Sequence, residues 1–184
     1  HLVFATLHTN SAPESIIRLL DMGMDPFNFS DALLGILAQR LAKRLCSSCK
    51  KPYHASQDEL KLLLMEYCEE LKNTKSWQKD PNAAIKQLHQ DWVRLFADSR
   101  GQFTLYEPVG CDNCNGTGYN GRVGLHELLV GTNALKKNIQ EHAHVAEMFA
   151  TALEDGMRTL RQDGIEKVLM GLTDMHQVRA VCIK

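Results

Sequence analysis

Two Cys-x-x-Cys pairs constrain the fold of this chain more than any other feature of its sequence. Cys46 and Cys49 form the first pair, and Cys111 and Cys114 form the second. A two-residue gap lets both sulfurs of a pair reach one ion, and four thiolates suit tetrahedral zinc. Because four protein ligands leave no open position for a catalytic water, we expect a structural zinc ion. The alternative interpretations are a redox-active pair or two unrelated surface pairs.

The remaining two cysteines, Cys68 and Cys182, lie outside this pattern. Both fall at apolar positions of predicted helices, so we expect them to fill the core. Cysteines grouped for a metal rather than for disulfides are typical of a reducing compartment.

Composition sets broad limits on function. With 44% hydrophobic residues among 184, the chain can bury the core of one domain or of two small ones, which excludes a disordered tail. Lys and Arg number 21 against 22 Asp and Glu, so a net charge of −1 provides no overall field for nucleic acid or an anionic membrane. The apolar runs are far shorter than the roughly 20 residues that cross a bilayer. The chain opens at His1 without an initiator Met or a signal-peptide pattern, and we expect it to be part of a longer protein.

Hydrophobic patterning predicts three elements before the first cysteine pair. The apolar run Leu2–Leu7 predicts a strand buried on both faces of a parallel sheet. Ser11 and Glu14 form a capping box that begins a helix, and Gly23 ends it. An Asp-Pro step then begins a second helix. Four leucines at helical spacing extend that helix to the first cysteine pair: Leu34, Leu37, Leu41 and Leu45.

The sign of the local charge changes between the two cysteine pairs. Residues 32–57 carry five bases and no acid, whereas residues 58–70 carry five acids and one base. This change indicates a module boundary near Ser56. Two apolar helical faces follow, so residues 54–98 are expected to form a helical hairpin whose ends stay close together.

Short strands are predicted on either side of the second cysteine pair, at Gln102–Val109 and Arg122–Val130. From Thr132 onward the pattern is helical to the end of the chain, and Thr173 is expected to cap the last helix. The sequence alone therefore favours an α/β fold with excess helix.

Ordered segments of the chain resemble the type II secretion and type IV pilus assembly ATPases. The stretch His1–Asn10, HLVFATLHTN, is similar to the histidine box of that family. Four further segments follow the order of the family: Arg18–Gly23, Ala38–Cys46, Gly118–Leu128 and Leu160–Leu169. Apart from residues 54–98, the resemblance covers nearly the whole chain.

The resemblance implies a helix-rich α/β fold that forms the C-terminal part of a hexameric motor. Residues 1–45 would end a RecA-like ATPase domain, and residues 46–130 would form a tetra-Cys zinc module with a helical insertion at about 54–98. Residues 131–184 would form a C-terminal helical bundle. In such a motor, ATP hydrolysis drives assembly of a type II secretion pseudopilus or a type IV pilus.

The same resemblance implies partners, a location and roles for residues. The partners would be other copies in a homo-hexamer and platform proteins of the inner membrane, which the motor reaches from the cytoplasm without a transmembrane segment. His1 and His8 fall on the two histidine-box positions, which sense the γ-phosphate or link it to subunit movement. The four cysteines fall on zinc positions.

His8 also stands out without the resemblance, because the carboxyl edge of a parallel sheet is where ligands bind. A histidine satisfied by backbone groups is the alternative interpretation. Further family positions carry charged side chains: Arg18, Arg40, Arg44, Arg122 and Glu127. For the first three a solvated surface role is preferred, and for the last two the structural interpretation is a pair beside the zinc module.

The phosphate-binding motif G-x-x-x-x-G-K-[ST] does not occur in this chain, nor do the acidic box and the Walker B strand of the family. Without that loop no backbone cradle or lysine holds the β- and γ-phosphates, and without the acids nothing holds magnesium. ATP and magnesium are therefore expected only in the full-length parent, and this chain alone is expected to be inactive.

A binding module that is not an enzyme is the alternative function. The bases between residues 40 and 51 could give a zinc ribbon some affinity for nucleic acid, although the near-neutral charge and the lack of interleaved aromatic residues argue against such a partner. The stretch from Cys111 to Gly118 also resembles one repeat of the DnaJ-type chaperone zinc domain, which would bind unfolded protein. One repeat is too few for that family.

Overall fold

The computed structural model describes residues 1–182 and confirms a helix-rich α/β chain. The α-helices are α1 (Ala12–Asp21), α2 (Pro26–Ala32), α3 (Gln57–Glu69), α4 (Lys75–Lys79), α5 (Pro81–Phe96), α6 (Asn133–Gln140), α7 (Val145–Glu154), α8 (Leu160–Leu169) and α9 (Met175–Val181). The strands are β1 (Gly35–Leu45), β2 (Lys51–His54), β3 (Thr104–Glu107) and β4 (Tyr119–Val130). None of the helices in residues 1–182 has the length and apolar character needed to cross a membrane.

The chain divides into two compact units, each of which combines an early and a late segment. Unit 1 comprises residues 1–38 and 127–157, and unit 2 comprises residues 39–126 together with the chain from residue 158 onward. The boundary between the units falls within β1 and within β4.

Unit 1 contains helices α1, α2, α6 and α7. Its large, fully buried apolar side chains come from α1, α6 and α7 and from the end of β4: Ile16, Leu129, Leu135, Ile139 and Met148. The predicted start of α1 is confirmed, since the Ser11 hydroxyl accepts the Glu14 amide at 3.4 Å. The second half of the capping box differs, because the Glu14 carboxylate accepts the amide of Asn10 and not that of Ser11. Gly23 follows the helix at φ +92°, as predicted.

Unit 2 has a larger core, in which the predicted helical hairpin packs on the C-terminal helices. Helices α3 and α5, with the short α4 between them, form the hairpin. The Tyr67 and Trp92 rings meet edge to face with centroids 5.3 Å apart. The Tyr67 hydroxyl donates to Glu166 of α8 at 2.7 Å. These contacts tie the hairpin to α8.

The strands form two separate two-stranded ladders. β2 and β3 are antiparallel, with Lys51 opposite Glu107 and His54 opposite Thr104. β1 pairs with β4. The β2–β3 ladder joins the two ends of the segment that contains the helical hairpin between the cysteine pairs. The expectation that these ends stay close together is thereby met.

Three predictions of local structure are wrong. Residues Leu2–Leu7 form no strand, and Phe4 is 89% exposed, because no strand among residues 1–182 pairs with this segment. The second helix ends at Ala32, and the leucines beyond it lie on or just before β1, where β4 supplies the backbone partners. Asp174 caps the last helix instead of Thr173, because the Thr173 hydroxyl donates to the Lys43 carbonyl at 2.8 Å.

Candidate metal centre

The first cysteine pair forms a tight turn directly after β1. The amides of Cys49 and Lys50 both donate to the Cys46 carbonyl, at 3.3 and 2.9 Å. The chain then enters β2, so the ladder with β3 begins close to this turn.

The second pair forms a similar turn. A 3₁₀ helix spans Asp112–Cys114, after which Asn115 and Gly116 adopt positive φ values of 52° and 75°. Asn and Gly are the residues that tolerate this left-handed backbone at least cost. The reversal lets the Gly116 amide donate to the Cys111 carbonyl at 2.9 Å, which closes the turn.

All four Sγ atoms of the two turns lie within 4.8 Å of one another. The Sγ–Sγ distances are 3.9 Å for Cys46 and Cys111, 3.8 Å for Cys49 and Cys114, and 3.8 Å for Cys111 and Cys114. Zinc–sulfur bonds of about 2.3 Å give a tetrahedron with edges of about 3.8 Å. The donor set therefore fits a tetrahedral zinc ion in both chemistry and spacing, and a disulfide of about 2.05 Å does not describe it.

Backbone amides surround the sulfurs as hydrogen-bond donors. The Gly110 amide points at Cys49 Sγ at 3.3 Å, and the amides of Cys111 and Gly118 point at Cys114 Sγ, each at 3.2 Å. Such donors favour the thiolate form that a metal requires.

The two thiols of the second pair have opposite pKa shifts. Loss of hydration, reinforced by the neighbouring thiols, raises the pKa of Cys111 to about 12. Loss of hydration also acts on Cys114, but the amides of Cys111 and Gly118 together with the Cys111 and Cys49 thiols outweigh it and lower the pKa of Cys114 to about 6. The backbone amides thus favour ionisation of Cys114 over ionisation of Cys111.

Glycine is required where the two turns approach their surroundings most closely. A Cβ on Gly118 would lie 2.5 Å from Cβ of Pro108, and Gly118 has φ +78°. A Cβ on Gly110 would lie 2.5 Å from the Gly116 carbonyl oxygen. Gly110 and Gly118 also donate their amides to cysteine sulfurs. The same two residues therefore allow the close backbone approach and provide hydrogen bonds to the sulfurs.

The family described as Type II/IV secretion system protein matches residues 1–180. The chain belongs to this family. The resemblance based on its motifs is thereby confirmed.

Relatives of this type II/IV secretion chain include proteins of both branches. It is 36% identical over 181 residues to the type IV pilus assembly ATPase PilB of Pseudomonas aeruginosa, covering 98% of this chain and 26% of that protein. It is 37% identical over 185 residues to the type II secretion system ATPase E of Vibrio cholerae, covering 98% and 29%. It is 39% identical over 178 residues to the type II secretion system protein E of Dickeya dadantii, covering 97% and 29%. The chain thus spans less than a third of the length of these relatives.

The other candidate residues of the type II/IV secretion chain lie outside the cysteine cluster. His1 and His8 are exposed in the irregular segment before α1. The matched arginines are also exposed, with Arg18 on α1, Arg40 and Arg44 on β1, and Arg122 on β4. Cys68 and Cys182 are buried, as predicted.

Glu127, for which the sequence offers a structural pairing with Arg122, makes a different contact in the structure. Five positions separate the two residues on β4, so their side chains point to opposite faces of the strand. Glu127 is buried and accepts the amide of Ala12 at 2.8 Å. Its carboxylate thus stabilises the N-terminus of α1, where the helix dipole favours negative charge.

Sequence reasoning missed the contacts that Lys50 and the α8–α9 loop, Met170–Asp174, make around the first turn. In the sequence, Lys50 is only one of five basic residues between positions 32 and 57. Its ammonium donates to the Gly171 carbonyl at 2.7 Å and lies 4.1 Å from the centroid of the Tyr106 ring. No periodicity or motif in the sequence connects residue 50 with residue 171.

Proposed function

We propose that this chain is the C-terminal portion of a hexameric ATPase that drives type II secretion pseudopilus or type IV pilus assembly, and that its four cysteines hold one structural zinc ion. The family match along residues 1–180 supports the motor, since the named relatives of both branches are ATPases. The four-sulfur cluster carries the proposal for the zinc module, because its spacing suits a tetrahedral ion.

The proposed zinc is a cross-link and takes no part in ATP chemistry. Cys46, Cys49, Cys111 and Cys114 would fill all four positions of a tetrahedral ion, which leaves none for water or substrate. When bound, the ion would neutralise part of the thiolate charge and fasten two turns that are distant in sequence. The amides of Gly110, Cys111 and Gly118 would then serve to orient the sulfurs.

In the proposed parent, residues 1–45 complete a RecA-like domain, residues 46–130 form the zinc module, and residues 131–184 form a helical subdomain. ATP and magnesium bind through parts of the parent that this chain does not contain. The parent acts in the cytoplasm at the inner membrane, which it contacts through platform proteins. This chain alone is proposed to show only background ATPase activity at any concentration.

Metal analysis with matched cysteine variants tests the zinc module. We expect one zinc ion per chain in the purified protein. Cys46→Ser should lose most of the zinc, whereas Cys68→Ser, a cysteine buried away from the cluster, should retain it. A zinc-free wild-type protein, or undiminished zinc in Cys46→Ser, would contradict the proposal.

His8 is proposed to contact the γ-phosphate or the attacking water in the complete hexamer, and His1 to support it. His8→Ala in that hexamer should lower turnover much more than ADP affinity, because the lost contact acts mainly in the transition state. If His8 acts only on the γ-phosphate or its water, the melting temperature of the hexamer should stay unchanged. Unchanged turnover would exclude the role, and a parallel loss of turnover, hexamer and melting temperature would identify a structural histidine.

A further inference from the structure

Lys50 connects the first cysteine turn to the α8–α9 loop. Its backbone amide belongs to the turn, where it donates to the Cys46 carbonyl at 2.9 Å. Its side chain is half-buried, and its ammonium donates to the Gly171 carbonyl at 2.7 Å while lying over the Tyr106 ring. One residue therefore contacts the proposed metal site through its backbone and the loop through its side chain.

Two further hydrogen bonds join the same two segments. The Leu45 amide donates to the Leu172 carbonyl at 3.0 Å, and the Thr173 hydroxyl donates to the Lys43 carbonyl at 2.8 Å. Together with the Lys50 contact, these bonds involve three consecutive loop residues, 171 to 173. Their partners lie both before Cys46 in the sequence and after it.

The loop has little freedom to move away from this position. Gly171 is buried at φ +70°, and a Cβ there would lie 2.4 Å from the Tyr106 ring. Tyr106 lies on β3, which pairs with β2 immediately after the first cysteine turn. The Tyr106 ring is thus within contact distance of both the lysine ammonium and the glycine backbone.

We propose that Lys50 is a positioning residue that links metal occupancy of the four cysteines to the order of the α8–α9 loop. An ion that fixes the first turn also fixes Lys50 and Leu45, and so holds the loop and the start of α9 in place. The linkage is reciprocal, because a loop that stabilises the metal-bound turn must also raise metal affinity. This inference rests on the proposed zinc site and assigns it a role beyond the turns themselves.

Two adjacent lysines provide a matched test. Lys50→Met keeps an apolar stem but removes the ammonium, whereas Lys51→Met removes a lysine that is 69% exposed and paired only at the surface with Glu107. Zinc affinity is measured by competition with a chromophoric chelator, and hydrogen exchange is followed over residues 170–175 with and without zinc.

We expect Lys50→Met to lower zinc affinity about tenfold, within the range for outer residues that orient metal ligands. Lys51→Met should stay within twofold of the wild type. In the wild type, zinc should slow exchange over residues 170–175, and this zinc-dependent difference should shrink in Lys50→Met only.

A merely structural lysine gives a different result: exchange in the loop would rise equally with and without zinc, and zinc affinity would not change. That outcome would overturn the linkage. So would a hydrogen-exchange rate in the wild-type loop that is the same with and without zinc. If Lys50→Met does not fold, Thr173→Val tests the linkage from the loop side, and zinc affinity within twofold of the wild type there would overturn it. Failure of the wild type to bind zinc at all would instead refute the proposed function.

Discussion

The two units of the chain bury their apolar residues to different extents. In unit 2, one continuous core joins the helical hairpin, β3, part of β4 and the C-terminal helices around Trp92, Leu125 and Ile165. In unit 1, buried residues such as Ile16 coexist with large apolar side chains in solvent, including Phe4 at 89% and Phe27 at 60% exposure. Large apolar side chains are therefore exposed in unit 1 beside its buried core.

The two units make different contributions to the molecule. Unit 2 carries the cysteine cluster, the β2–β3 ladder and the larger core, so its residues should dominate measured stability. Unit 1 carries the histidine segment, which the resemblance assigns to a RecA-like sheet. Its exposed side chains are consistent with a surface that the rest of the proposed parent would cover.

The largest expected effect compares one buried and one exposed aromatic residue. Trp92→Ala should lower the free energy of unfolding by about 3 kcal/mol, near the low end for buried aromatic residues. The low end applies because the buried indole N–H of Trp92 has no hydrogen-bond partner among the described residues. Removing the indole therefore also removes the free-energy cost of burying an unpaired donor. Phe4→Ala should change stability by less than about 0.5 kcal/mol. Chemical denaturation of both variants checks this, and equal losses would invalidate the contrast between the units.

A pair of glycines separates backbone strain from crowding within unit 2. Gly101→Ala should cost about 1 kcal/mol, because Gly101 has φ +76° but open space around it. Gly171→Ala should cost about 2 kcal/mol, since the same strain is joined by overlap with the Tyr106 ring. Thermal unfolding of the two variants measures the difference. Equal destabilisation would show that the ring moves aside freely and that the loop is loosely held.

In unit 1, Glu127→Ala tests whether a buried carboxylate fixes the start of α1. Its removal leaves the Ala12 amide unpaired and should cost about 1 to 3 kcal/mol. Glu127→Gln keeps an acceptor and should recover part of that loss, while Glu147→Ala on the exposed face of α7 should have little effect. Denaturation monitored by hydrogen exchange across α1 distinguishes these cases. If Glu127→Ala leaves the free energy of unfolding unchanged, the hydrogen bond from Ala12 of α1 to Glu127 of β4 does not stabilise α1.

The smallest expected effect concerns pH and the start of α3. Hydrogen bonds from Ser56 lower the pKa of Glu59 below its usual 4.5. A lowered pKa in the folded state gives stability that is fully present above the usual pKa and is lost as the pH falls through the lowered one. The advantage of the wild type over Glu59→Gln should therefore shrink on acidification from about pH 6 to about pH 3. Ser56→Ala, which costs about 1 kcal/mol at neutral pH, should weaken this pH dependence without abolishing it, because the backbone amide of residue 56 still donates to the Glu59 carboxylate.

Local signals in the sequence predicted the helices well, because each start depends on a few neighbouring residues. Ser11 and Asp25 cap α1 and α2 where the capping box and the Asp-Pro step placed them. The meeting of the two cysteine pairs also followed from their spacing and from the hairpin between them. The identity of a bound ion stays a prediction.

The errors arose where distant residues decide the structure. The leucines from Leu34 to Leu45 have helical spacing, and pairing with β4 overrides that spacing in favour of a strand. Thr173 is a good capping residue by type, but its hydroxyl is already bonded to Lys43. The Lys50 contact with Gly171 could not be predicted, because nothing local to either residue indicates the other.

The β2–β3 ladder also affects how quickly a metal site of this kind can assemble. The entropy lost on closing a loop grows with the logarithm of its length, and residues 50–110 would form a long loop if only the ion joined its ends. Once the ladder has formed, only the few residues between each strand and its cysteine pair remain to be ordered. If the ladder forms first, metal capture would be a late and local event whose rate would not depend on the length of the helical hairpin.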